Sequence, residues 1–239
     1  MTLRQTFNRL ASQLALPAAL MAVVLATTLA APPAAAASQA QLNQMLGQDG
    51  LQKTKVKGLD LAYARPGASL AAYKRVKIEP VEVAFDKAWD PKRTGSSFRL
   101  KPDEIEAIRN GVATIVHEEF VKALQAKGGY QVTEDTGPDV LRVKARIIDL
   151  VVNAPDTMSA GRTQTYTLSA GRMTLVAELA DAQTGQVLAR VADHREGRNT
   201  GQLMLTTRAS NAWEASDAAS RWASILRNAL DKAHGIGKQ

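Results

Sequence analysis

Residues 173–194, MTLVAELADAQTGQVLARVADH, restrict the fold more than any other stretch of the chain. Met173, Leu175, Ala177 and Leu179 recur at every second position, and Val187, Ala189 and Val191 do so again after the turn DAQTGQ. A period of two places each apolar row on one face of a strand. Gly185 offers the turn a residue that accepts positive φ without steric cost. The stretch therefore reads as an antiparallel β-hairpin with a loop of several residues. One face of such a hairpin is apolar, so the rest of the chain must supply more strands beside it and a layer to cover it.

Two helical segments fit the covering layer. Ile105, Ile108, Val112, Ile115, Val116, Phe120 and Leu124 follow one another at three- and four-residue spacing, after Pro102 and the acids Asp103 and Glu104 and before Gly128 and Gly129. Proline at the first helical position, acids in the first turn and glycine past the end are the marks of a helix. A second amphipathic helix is expected from about Ser210 to His234, with Trp213, Trp222, Ile225, Leu226, Ala229 and Leu230 on its apolar side and Gly235 at its end.

Further strands are expected at VLRVKARIIDLVV, residues 140–152, and at VKIEPVEVAF, residues 76–85. In the first, Leu141, Val143, Ala145 and Ile147 share a face opposite Arg142, Lys144 and Arg146, and the phase then slips to Ile148, Leu150 and Val152. In the second, the phase slips at Pro80, between Val76 and Ile78 on one side and Val81, Val83 and Phe85 on the other. Proline inside a strand belongs at an edge or a bulge. Shorter strands are expected around Leu59, Leu61 and Tyr63, at YQVTED, and at TQTYTL. Residues 86–101 and 194–209 read as loops, and two copies of SAGR, at 159–162 and 169–172, are too isolated to form a repeat array. The order strand, strand, helix, strands, hairpin, helix gives an α+β class: a mostly antiparallel sheet with two long amphipathic helices packed on one face.

The N-terminus has a different character. Arg4 and Arg9 precede an apolar run at residues 14–30, and Ala35 and Ala37 then complete an A-x-A pattern. This order is that of a secretory signal peptide, residues 1–37, cleaved after about Ala37. The apolar run is shorter than the roughly 20 residues that span a bilayer, which argues against a retained anchor. Residues 38–57 are polar and read as a flexible lead-in, and residues 58–239 as a single α+β domain. The expected location is periplasmic or secreted, with no stable transmembrane segment after cleavage. The chain has no cysteine, which excludes thiol catalysis, thiolate metal sites and an acylated N-terminal cysteine.

The stretches GLDLAYARPGASLAAYKRVKIEPVEVAF, AELADAQTGQVLARVADHR and WEASDAASRWASILRNALDKA together resemble domain-of-unknown-function family 3313, a group of bacterial envelope proteins. The resemblance covers most of residues 58–234 and implies export and a single fold. Many such proteins are lipoprotein-like, from which this chain departs by lacking the lipobox cysteine. The resemblance implies no activity and no site.

The chemistry-bearing residues are sparse. Glu79 and Glu82 flank Pro80 and pose a choice between a pair of catalytic acids and a charged strand face. Glycosidase chemistry needs one carboxyl with a raised pKa, and an exposed sheet face gives no cause for it. The structural reading sets strand 76–85 beside strand 140–148, with Glu79 and Glu82 facing Arg142, Lys144 and Arg146. His117, His194 and His234 stand at no metal-ligand spacing, and HEEF lacks the second histidine of H-E-x-x-H. The sequence has no nucleophile elbow, P-loop, dinucleotide fingerprint or EF-hand loop, so no catalytic, metal or cofactor site is expected and the cofactor expectation is none. Arg195 and Arg198 lie in a basic stretch without interleaved aromatics, which disfavours nucleic acid and leaves either a solvated loop or contact with an anionic envelope component. Trp213, near the start of the last helix, is a candidate interface anchor. The expected function is a non-enzymatic binding or accessory module whose partner is an envelope protein or an anionic envelope component. A hydrolase acting on an envelope polymer and a small-ligand binder are the alternatives, and a homo-oligomer is compatible with either.

Overall fold

The computed structural model describes residues 34–90, 100–153, 165–167, 171–197, 204–206 and 208–236. Helix α1 (Ala34–Leu46) is followed by β1 (Gln52–Thr54), β2 (Leu61–Ala64), β3 (Arg75–Ile78) and β4 (Glu82–Phe85). Helix α2 (Pro102–Gln125) and a 3-10 turn lead to β5 (Gln131–Val132) and the long β6 (Val140–Val152). Then come β7 (Thr165–Thr167), the hairpin β8 (Gly171–Asp181) and β9 (Val187–Glu196), β10 (Met204–Thr206) and helix α3 (Arg208–Ala233). The fold is α+β, as the patterning predicts.

The main sheet has eight strands in the order β1-β2-β9-β8-β6-β3-β5, with β4 also pairing β6. It is mixed. The pairs β6·β8, β8·β9, β9·β2 and β2·β1 are antiparallel, whereas β3 and β4 run parallel to β6 and β5 runs parallel to β3. The sheet is mostly antiparallel, as expected, with parallel pairing confined to β3, β4 and β5, and the cause of that pairing is α2. A long helix between β4 and β6 returns the chain to its starting end, so the strand that follows joins in parallel. Strand β10, within the expected loop 194–209, pairs β7 in a separate two-stranded sheet.

Both phase slips are bulges. Ile78 stands opposite Val143 and Glu82 opposite Arg146, so the segment around Pro80 carries one residue more than β6. Further along, Val83 faces Ile147 and Phe85 faces Leu150, and here β6 carries the extra residue. Asp149, at φ 53°, is the residue that accommodates it. The two insertions offset each other, and Val76, Ile78, Val83 and Phe85 all pack toward the same core.

That core lies between the sheet and the helices α2 and α3. Leu141, Val143, Ala145 and Ile147 of β6 meet Val112, Val116, Phe120 and Leu124 of α2, and Trp222, Leu226 and Leu230 of α3. Both helices run in the same direction: Ser216 of α3 bonds Glu119 of α2, and Arg227, further along α3, bonds the Leu124 carbonyl, further along α2. Arg227 donates to three carbonyls at the end of α2, those of Ala123, Leu124 and Ala126, and pairs with Asp231 at 2.8 Å. Gly129 leaves the room for this guanidinium, since a Cβ there would overlap both Arg227 and the Leu124 carbonyl.

The other face is not wholly solvated. Residues 38–57, expected to be flexible, contain most of α1 together with β1. Leu46 of α1 is fully buried against Leu61, Val176 and Ala192, with Leu42 and Met45 beside it. The apolar positions are only three and four residues apart at 42, 45 and 46, too short a pattern to stand out in a polar stretch.

Candidate functional site

The two strands that carry the charged stripe lie side by side, as expected, and run parallel. Glu79 lies 3.7 Å from Arg142, and Glu82 lies 3.5 Å from Lys144, across parallel strands. The ladder continues from Arg142 to Glu178, from Glu178 to Arg190 at 2.9 Å, and from Arg190 to Asp49 in the turn after α1. Arg146 stands opposite Glu82 in register, yet its guanidinium packs on the Met45 sulfur at 3.8 Å. Glu79 and Glu82 are thus each matched by a cation on an open face. Among the described residues no group of three or more His, Asp or Glu side chains is arranged to hold a metal ion.

The cavity lies elsewhere, at the end of the sheet where β4, β6 and β9 finish and where α2 and α3 begin. It is a cleft of about 680 Å³ between the two helices. Its floor is made by Leu150 and Val152 of β6 and Met173 of β8, and its helix walls by Ile108, Val112, Ile115, Ala215 and Ala218. The space exists because the facing positions are small: Ala107 and Gly111 on α2, Ala212, Ala215 and Ala218 on α3. A Cβ built on Gly111 meets nothing within 4 Å. Protein interiors are close-packed, so an opening of this size with an aliphatic floor is a departure from ordinary packing and lies within the usual volume of ligand sites.

Local structure fixes the cleft's walls. Pro102 opens α2 and the Glu104 carboxylate accepts the Lys101 N–H at 2.7 Å, setting the helix start beside the sheet end. Phe85 and Trp89 stack with ring centroids 4.4 Å apart, and the Trp89 indole donates to the Val152 carbonyl at 3.2 Å. Asp86 accepts the Ala88 N–H and pairs with Arg172 at 2.8 Å; these bonds, the Ala88 N–H first, hold its carboxyl below the usual range. Gly171, at φ 148°, passes so close to the Val151 carbonyl that any Cβ would overlap it. The Asn211 Oδ1, on the α3 wall, is buried without a hydrogen-bond partner among the described residues.

Of the residues singled out in the sequence, Arg195 reaches this cleft. Its Nε pairs with the Asp193 carboxylate and its Nη2 donates to the Gly58 carbonyl at 2.8 Å. Asp193 is only 2% exposed. It also accepts the Trp222 indole N–H at 2.7 Å and the Asp60 backbone N–H at 3.1 Å. Sequence reading missed Asp193, whose position on the inward side of the β9 alternation, beside Val191, was the available signal. Trp213 is half exposed on α3, next to the cleft wall. Arg198 lies outside the described residues. The α2 side of the cleft carries Asp103 and Glu104. The opposite side opens into a shallower groove of about 440 Å³ lined by Lys57, Ser220 and Ser224, with Arg195, Asp217 and Arg221 shared between cleft and groove.

Among solved structures, the chain is similar to a PelC dodecamer from Paraburkholderia phytofirmans, at 9% identity over 74% of this chain and 96% of that one, with a TM-score of 0.35. It is similar to protein XCC0632 from Xanthomonas campestris at 11% identity, over 72% and 92%, with a TM-score of 0.38. A DUF4136 family protein from Bacteroides thetaiotaomicron VPI-5482 shares 12% identity over 74% and 98%, with a TM-score of 0.34. Similarity at this level carries nothing about activity. No curated protein matches the chain. Residues 41–226 match the family model described as Protein of unknown function (DUF3313), and the chain therefore belongs to that family.

Proposed function

We propose that the domain is a non-enzymatic binding module of the cell envelope, and that its ligand sits in the cleft between α2 and α3. The observation that carries this reading is the cleft itself: about 680 Å³, floored by Leu150, Val152 and Met173 and kept open by small residues on both helices. An aliphatic floor binds apolar groups by removing them from water, and asks for no reacting group. The carboxylates that suggested hydrolysis, Glu79 and Glu82, are matched by Arg142 and Lys144 on the sheet face away from this cleft. Export rests on the N-terminal sequence. The residues with which α1 packs, Leu42, Met45 and Leu46, all follow Ala37, so cleavage there leaves that contact intact. Among the described residues, no helix is long and apolar enough to cross a membrane.

The test is a neutral apolar dye, N-phenyl-1-naphthylamine, titrated into the wild-type protein and into Gly111→Leu. The leucine side chain enters open space from α2 and replaces a glycine within a helix, which favours folding. Saturable fluorescence enhancement in the wild type, lost by at least tenfold in the variant, is the expected result. Equal binding by both proteins, or none by either, refutes the cleft as the site.

A further inference from the structure

The cleft and the neighbouring groove share Arg195, Asp217 and Arg221, so the apolar floor runs on into a polar end. That end gathers Lys57, Arg195 and Arg221 with the hydroxyls of Ser220 and Ser224; Asp217 is the one acid in its lining, and the buried Asp193 beneath it pairs with Arg195. We propose that the ligand is a single-chain lipid with a phosphate head, its hydrocarbon chain on the floor of the cleft and its head in the groove. The inference rests on the binding reading above and adds the ligand's chemistry.

The lining directs the head to that end. The α2 side of the cleft presents Asp103 and Glu104, and Arg172 at the sheet end is already paired with Asp86, so an anion is repelled from there. Lys57 is exposed and pairs with no acid among the described residues. Among the described residues Arg221 is held by a surface pair with Asp217 at 3.1 Å, one turn away on the same helix, and such pairs are weak enough to be exchanged for a phosphate. Arg195 is different: the buried Asp193 and the Gly58 carbonyl fix its guanidinium, so one cation of the groove is in place before any ligand arrives. Hydroxyls supply the remaining donors a phosphate needs.

Competition against bound N-phenyl-1-naphthylamine tests this, with dodecyl phosphate, dodecylphosphocholine, dodecyltrimethylammonium and inorganic phosphate as competitors, each below its micelle concentration. Dodecyl phosphate should displace the dye at a concentration at least tenfold lower than either other amphiphile, and inorganic phosphate alone should not displace it. Lengthening the chain from decyl to dodecyl should strengthen displacement by up to about fourfold per methylene, the equivalent of about 0.8 kcal/mol each. Lys57→Gln should lower the preference for the phosphate head at least threefold. Lys53→Gln, which removes the same charge from the exposed edge strand outside the groove, should leave it unchanged. Equal displacement by all three heads, preference for the ammonium head, displacement by inorganic phosphate alone, or equal effects of the two lysine variants would overturn the proposal. Dye binding that Gly111→Leu abolishes, with no head preference, leaves the binding reading standing and removes this one; dye binding that Gly111→Leu spares removes both.

Discussion

Replacing Asp193 with alanine removes the acceptor on which three elements converge. The carboxylate takes the Trp222 indole N–H of α3, the Arg195 guanidinium of β9 and the Asp60 N–H that leads into β2. At 2% exposure no water replaces it without rearrangement. Breaking a buried ion pair by removing one partner costs about 3–5 kcal/mol, and each buried donor left unpaired about 1–3 kcal/mol, values that overlap because Arg195 can turn toward solvent. About 4 kcal/mol is the resulting expectation for Asp193→Ala. Asp193→Asn keeps one acceptor oxygen and the shape, and should lose about 2 kcal/mol. For a domain of this size the alanine variant should melt about 8–16 °C lower. Urea denaturation followed by tryptophan fluorescence gives the free energies directly, and Trp222 also reports its own environment. If both variants fall within about 1 kcal/mol of the wild type, the carboxylate does not organise this junction and the argument for a preset Arg195 fails with it.

Gly129→Ala should destabilise by about 2 kcal/mol or more, because the added methyl overlaps the Leu124 carbonyl and displaces Arg227 from the end of α2; chemical denaturation measures it. The folded state should weaken on acidification. Asp181, held below the ordinary 3.8 first by the Thr184 N–H, and Asp139, held down first by its bonds from Arg75, contribute stability that is present above the unfolded value and lost as pH falls through the folded one. At the alkaline end, burial, aided by Asp181, pushes Tyr73 up to about 12, so its contribution is complete below the ordinary 10.0 and disappears as pH rises toward 12. A urea midpoint that is flat from pH 5 to 2.5, or that rises between pH 10 and 12, would contradict these assignments. A double-mutant cycle on Glu79 and Arg142 should give about 0.5–1 kcal/mol of coupling that salt diminishes, and the Glu82–Lys144 cycle close to none, since the Glu82 side chain is 61% exposed.

Much of the fold is legible in the residue pattern. Period-two alternation marks β6, β8 and β9, and the three- and four-residue spacing between Pro102 and Gly128 marks α2. These are local signals: each element's apolar face is set by its own backbone geometry. Even the faults were informative, since the slips at Pro80 and at Ile148–Leu150 are the two bulges. The pairing of Glu79 with Arg142 could be anticipated because charges on the open face of neighbouring strands seek opposite charges.

Strand direction, the burial of Leu46 and the cleft were decided by tertiary structure. Parallel pairing of β3 and β4 with β6 follows from where α2 returns the chain, which no single strand encodes. Asp193 looks like any polar residue in ADHRE until Trp222, 29 positions later, is brought over it. The cleft is made from absences, Gly111 on one helix and Ala215 and Ala218 on another, and small residues acquire meaning only when two elements face each other across them. Sequence alone determined which side of each element turns inward, because that depends on the period of one short segment. The tertiary structure decided which elements meet and what space remains between them, because both depend on groups distant in the chain.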